Sequence, residues 1–165
     1  MATQRRIDRA RFVIEVAQAI VAEIGADRVG IRISPAHNIQ DVWEKDDAET
    51  RTSYGALIAG LAQLGLAYLR VLQADPAGDL IQDLRRALGG TFIVNSGFSK
   101  MTTRDEAITA VDESIADLIA VGRPAIANPD LVTRWEQGAE ENEVDHASVY
   151  GPDEREYTDY PFLQG

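Results

Sequence analysis

The chain has 165 residues, 45% of them hydrophobic and 26% charged, with a net charge of −11 and no cysteine. That length suits one domain with a sizeable core, and the composition is globular and not disordered. The acidity argues against a nucleic-acid or anionic-membrane surface. The absence of cysteine excludes a disulfide scaffold, thiolate zinc sites and a cysteine nucleophile.

From Arg6 to Ile24, residues Ala10, Val13, Ala17, Ile20, Val21 and Ile24 recur at helical spacing, and Phe12 and Val16 widen that apolar stripe before Gly25 stops it. Arg28 to Ile33 then reads as a strand ended by Ser34-Pro35. A polar loop rich in Asp and Glu runs from Ala36 to Thr50, and a helix pattern returns from Ser53 to Leu64, with Gly65 as its stop. Leu66 to Leu72 is a second strand, Asp75-Pro76-Ala77-Gly78 a turn, Leu80 to Leu88 a short helix, and Thr91 to Val94 a third strand. Thr103-Arg104-Asp105-Glu106 fits a capping box that opens a helix to about Glu113. Asp117 to Val121 makes a fourth strand, and Asn128-Pro129-Asp130 starts a last helix through Gln137. Alternating helices and mostly apolar strands predict a parallel sheet covered by helices. From Gly138 the chain turns polar and then aromatic, with Tyr150, Tyr157, Tyr160 and Phe162. So many rings predict a tail, 138–165, packed on a single domain 1–165 rather than a linker. No stretch reaches eighteen apolar residues, and no apolar run follows the basic Arg5-Arg6, which predicts a cytoplasmic chain without a membrane span.

The most informative pair of segments is Ile93-Val94-Asn95-Ser96-Gly97-Phe98 and Leu118-Ile119-Ala120-Val121-Gly122-Arg123-Pro124. Each is an apolar strand running into glycine, one βα unit apart. Either glycine alone makes a tight strand-to-helix turn. Together with Arg123 they point to a phosphate cradle, because a bare backbone admits close approach and a guanidinium adds a charge-assisted contact. Arg32 shares one strand face with Gly30, with Val29, Ile31 and Ile33 on the other. It either points inward near the strand's C-terminal end, where ligands bind, or faces solvent from an edge strand. His37 and His146 read as solvated loop histidines, and Trp43 and Trp135 as packing residues. Glu44, Asp46, Asp47 and Glu49 lack the glycine and spacing of a calcium loop and read as a charged loop.

Arg9-Ala10-Arg11-Phe12, Asp27 to Pro35, Gly65-Leu66-Ala67-Tyr68-Leu69, Phe92 to Phe98, Val121 to Leu131 and Tyr157 to Leu163 occur in the order found in old yellow enzymes, which the chain resembles over nearly its whole length. Those are FMN-dependent (β/α)8 barrels that use NAD(P)H to reduce the C=C bond of α,β-unsaturated carbonyls. The resemblance implies an α/β chain forming half of such a TIM barrel: the helix before strand five, then parallel strands five to eight. It implies that Arg32 faces the flavin pyrimidine, that Ser96, Gly97, Gly122 and Arg123 hold the FMN phosphate, and that Tyr150 lines the flavin and substrate pocket. The family's substrate-binding pair and proton-donating tyrosine belong to earlier strands, so no catalytic acid is assigned here. An isolated half barrel has two unpaired edges and an uncovered inner face. That predicts pairing with an N-terminal half-barrel chain or self-association, besides a small enone substrate. The alternative is a truncated half barrel that binds FMN or another phosphorylated ligand without catalysis, or is inactive alone.

Overall fold

A computed structural model of the protein describes residues 2–38, 41, 43–97, 100–149, 151 and 158–164. Chain order is α1 (Ala2–Ile24), β1 (Gly30–Ile33), α2 (Asp47–Ala62), β2 (Tyr68–Leu72), α3 (Asp79–Leu88), β3 (Phe92–Asn95), α4 (Arg104–Asp112), β4 (Leu118–Ile119), α5 (Arg123–Ala127) and α6 (Leu131–Gln137). The strands form one parallel sheet in the order β1-β2-β3-β4. Sequential order with no reversal is the arrangement of an arc of a β/α barrel; a doubly wound sheet would reverse direction at a switch point. Right-handed crossovers then put the intervening helices on one side.

Strand alternation sorts the sheet into two faces. Ile33, Leu69, Val71, Phe92 and Val94 are buried on the helix side, where they join Ile58 and Leu61 of α2 and Ile81 and Leu84 of α3 in one core. Gly30, Arg32, Tyr68, Arg70, Leu72, Ile93, Asn95 and Leu118 lie on the other face by register. Gly30 is bare because the Tyr68 ring crosses it: an added Cβ would collide with Tyr68 Cζ. Gly60 similarly lets α1 close on α2, since a Cβ there would collide with Ile14 Cδ1.

Several elements differ from the sequence reading. Strands β1 and β2 begin two residues later than expected, because Ala26–Arg28 form a 3-10 turn whose Ala26 carbonyl, with that of Val29, accepts from the Ala67 N–H. Helix α2 starts at Asp47, not Ser53. Asp46 caps it by accepting from the Glu49 N–H at 2.9 Å, and Asp47 and Glu49 complement the dipole of its first turn. The acidic run is therefore partly a helix start. Thr103 does cap α4, accepting from the Glu106 N–H at 3.2 Å. Phe12 and Val16 do not extend the buried stripe of α1. Ala10, Val13, Ile14, Ala17 and Val21 face the core, whereas Phe12 (73% exposed), Val16 and Ile20 follow one another every four residues along an open face. Trp43 is also exposed, and α5 was not anticipated.

The C-terminal segment is tied down by polar contacts. Buried Arg134 donates to Asp130 Oδ1 (2.7 Å) and to the carbonyls of Glu140 and Pro161, and Asn142 Nδ2 donates to the carbonyls of Ala127 and Pro161. The Leu163 N–H donates to Asp130 Oδ2 at 2.6 Å. That bond, and next the Arg134 guanidinium, hold the Asp130 carboxyl below the usual carboxylate range.

Candidate functional site

At the C-terminal ends of the four strands lies a cavity lined by Arg32, Arg70, Asn95, Gly97, Lys100, Gly122 and Arg123, with Leu72, Met101, Thr102 and Pro124 completing it. Each strand contributes from its inward face or from the loop after it. Arg32 enters from β1, and Arg70, its register partner, from β2. Asn95 ends β3 and shapes the loop beyond it: its Nδ2 donates to the Ala120 carbonyl at 2.6 Å, and its Oδ1 accepts from the Gly97 N–H at 3.1 Å. One side chain thereby fixes the β3 loop to the chain beyond β4. Arg123 opens α5 and donates to the Lys100 carbonyl at 3.1 Å, joining the same two loops a second time.

The two glycines have different reasons to be glycine. Gly97 has φ +104°, a conformation that side-chain-bearing residues rarely adopt, and an added Cβ would press on His37 Cε1 at 3.3 Å. A Cβ on Gly122 would meet no protein atom within 4 Å, so packing does not require a glycine there. The electrostatics are one-sided: among the described residues four cationic side chains line the cavity and no carboxylate does, although the Lys100 ammonium pairs with Glu106 at 3.2 Å. Arg32 is exposed, and the Nε of Arg70 is buried without a hydrogen-bond partner among the described residues. Such a cavity takes an anion.

Of the residues singled out from sequence, Arg32, Gly97, Gly122 and Arg123 converge here. Ser96 is adjacent but buried, with its hydroxyl 3.3 Å from Thr102 Oγ1 and not among the lining groups. Tyr150 lies outside the described residues. Arg70, Lys100 and Asn95 were not singled out. Arg70 carries the signal that marked Arg32, a charge inside an apolar strand; Asn95 is placed by the end of β3 and Lys100 by loop geometry. His37 is half-buried beside Gly97 rather than solvated, whereas His146 is exposed. The acidic cluster has structural partners: Glu44 Oε2 accepts from the Ala36 N–H, and Glu49 pairs with Arg9. Burial, then the charge of Glu44 and its hydrogen bond, push the Tyr54 hydroxyl pKa up. Among the described residues no group of three His, Asp or Glu is placed to hold a metal, and no helix is long and apolar enough to cross a membrane.

Residues 6–142 match the family model described as NADH:flavin oxidoreductase / NADH oxidase. The chain belongs to that family. A 12-oxophytodienoate reductase-like protein of Solanum lycopersicum is 36% identical over 159 residues, spanning 95% of this chain and 42% of that protein. A probable flavin mononucleotide-dependent alkene reductase of Leishmania infantum is 35% identical, over 94% and 42%. Among solved structures, morphinone reductase in complex with tetrahydroNAD superposes with a TM-score of 0.80 at 36% identity, covering 95% of this chain and 42% of that one. The chain thus spans about two fifths of the length of the curated relatives it matches. Its fold is half of a (β/α)8 barrel.

Proposed function

We propose that this chain is the FMN-holding half of an NAD(P)H-dependent oxidoreductase that reduces the C=C bond of α,β-unsaturated carbonyls. The observation that carries the reading is the cavity at the strand ends, lined by four cations and, among the described residues, by no carboxylate, in a chain belonging to a flavin oxidoreductase family. The residues present fit FMN. Gly122 leaves a bare backbone against open space, Gly97 takes a positive φ in the neighbouring loop, and Arg123 lines the same cavity while donating to the Lys100 carbonyl. Arg123 and the main chain at Ser96-Gly97 and Gly122 hold the phosphate; Ser96 takes part through its backbone, since its hydroxyl is engaged with Thr102. Arg32 faces the pyrimidine edge of the ring and stabilises negative charge there.

When bound, FMN supplies the redox chemistry, taking a hydride from NAD(P)H and delivering one to the β-carbon of the enone. The chain's own residues anchor and orient the cofactor and set its charge environment. None of them is assigned as the proton donor to the substrate. In this reading 1–165 form one half-barrel domain, the second half of the barrel, with 138–165 as its packed tail. The remaining strands come from an N-terminal half, or a second copy closes the barrel; the open apolar stripe of α1 and the uncovered sheet face support such pairing.

The test is titration of the chain with FMN and with riboflavin, read by flavin fluorescence and a sizing column. FMN retained in a defined assembly, with riboflavin bound at least tenfold more weakly, is the expected result. Equal binding of the two flavins would remove the phosphate assignment, and no binding of either would remove the function of this chain as a cofactor half.

A further inference from the structure

Strands β1 and β2 are paired so that Arg32 stands opposite Arg70. Both side chains leave the inward face from strands about 4.8 Å apart and line the same cavity. Among the described residues nothing beside Arg70 absorbs its charge: its neighbour on β3 is Ile93, Leu69 and Val71 face the helices, and no carboxylate lines the cavity. Its Nε is buried and lacks an acceptor among the described residues. Two adjacent guanidiniums, one with an unsatisfied donor, are destabilising unless an anion joins them. Lys100 and Arg123 line the cavity from the β3 and β4 loops, where the Arg123 guanidinium donates to the Lys100 carbonyl and the Lys100 ammonium pairs with Glu106 at 3.2 Å. Two of the four cations therefore stand on the strands, without a carboxylate among the described residues, and two on the loops.

A phosphate monoester carries roughly −1.5 to −2 at neutral pH, which Arg123 and the loop backbone amides meet at the loop end, Lys100 being shared with Glu106. A further negative charge develops on FMN only when its ring is reduced. The hydride from NAD(P)H carries two electrons and one proton, so the ring gains a single negative charge as the nicotinamide leaves as the oxidised cation.

We infer that Arg70 is a further cofactor-binding residue, a second guanidinium beside Arg32 that favours the reduced, anionic ring over the oxidised, neutral one. This rests on the reading of the cavity as the FMN site. It is tested by equilibrium dialysis of the full chain against oxidised FMN, anaerobically photoreduced FMN and riboflavin, for wild type, Arg70→Gln and Arg70→Lys. Arg70→Gln is expected to leave the Kd for oxidised FMN within about twofold and to weaken reduced FMN about tenfold, equivalent to about 30 mV for a two-electron couple. Arg70→Lys, which keeps the charge, is expected to keep most of the preference for the reduced form. If Arg70→Gln does not melt cooperatively, Arg70→Met, which fills similar space without charge, takes its place. An unchanged ratio of the two redox forms overturns the inference. So does an equal loss for both FMN forms with riboflavin unaffected, which would make Arg70 a phosphate ligand. Wild type that binds no flavin overturns the FMN reading and this inference with it, whereas wild type that binds while the variant keeps its ratio overturns the inference alone.

Discussion

On the helix side of the sheet Leu69, Val71, Phe92 and Val94 are fully buried, whereas on the other side Tyr68 keeps 38% and Leu118 52% of its surface. The difference comes from how each face is covered. Every helix of a β/α unit folds back on the strands beside it in sequence, so the outer layer is completed by contacts this chain supplies itself. The inward face of a barrel is completed by strands across the axis, and four of those are not in this chain. The cavity inherits that inequality. Its loop end is built from two adjacent loops stapled by Asn95 and Arg123, while its strand end is two arginines on an open wall.

The widest separation between the faces is expected from truncating one side chain on each. Phe92→Ala empties a fully buried site on the helix side, and Arg85, whose guanidinium lies 5.6 Å from the ring centroid, loses its stacking partner. The cost is expected at about 3–5 kcal/mol in urea unfolding. Leu118→Ala on the inward face is expected within about 0.5 kcal/mol when the chain is unpartnered. A comparable loss at Leu118 would mean that the inward face is already covered by a second copy.

Arg134→Ala tests whether the tail belongs to the self-sufficient part. Its guanidinium is buried and serves Asp130 and two carbonyls, so removal strands several acceptors at once. A loss of about 2–4 kcal/mol is expected, with faster proteolysis after residue 138. Unchanged proteolysis would show that the tail is held by other contacts.

A pair of glycine changes divides scaffold from ligand space. Gly97→Ala forces a side chain into a positive-φ position beside His37 and is expected to cost about 1–2 kcal/mol of stability. Gly122→Ala meets no protein atom and is expected to leave the melting temperature within a degree or two while weakening FMN about tenfold or more. Equal FMN affinity in Gly122→Ala would move the phosphate away from that backbone.

What was legible from sequence divides along the same line as the two faces. The four strands, their parallel pairing and the strand-end glycines could be read because alternation and turn residues are local signals. The early start of α2 was missed because Asp46, Asp47 and Glu49 look like a polar loop until a cap hydrogen bond is seen. Phe12 and Val16 were placed on the wrong face because a broad apolar helix does not declare which neighbour it meets. Arg32 and Arg70 both interrupt apolar strands, and only the register shows that they are partners. Lys100 reaches the cavity through a loop, and nothing in its local sequence announces that.

The smallest expected effect is a local response to acid at the tail. The Leu163 N–H, and then Arg134, hold the Asp130 carboxyl below its unfolded value of about 3.9. A carboxyl depressed in this way stabilises the fold above the unfolded pKa, and that contribution is lost as pH falls through the lower folded value. Asp83 and Asp145 are depressed as well, by Arg86 and Ser148 first, so global melting would blend the three. Hydrogen exchange at the Leu163 amide isolates Asp130, because that amide donates to its Oδ2. Protection of Leu163, after correction for intrinsic exchange, should hold at pH 5 and fall below about pH 4, before the amides of β2 and β3 open. Asp130→Asn should lack the step and show weaker protection at pH 5. If Leu163 instead loses protection together with the strands, the tail is part of the cooperative core and not a separately released cover beside the cavity.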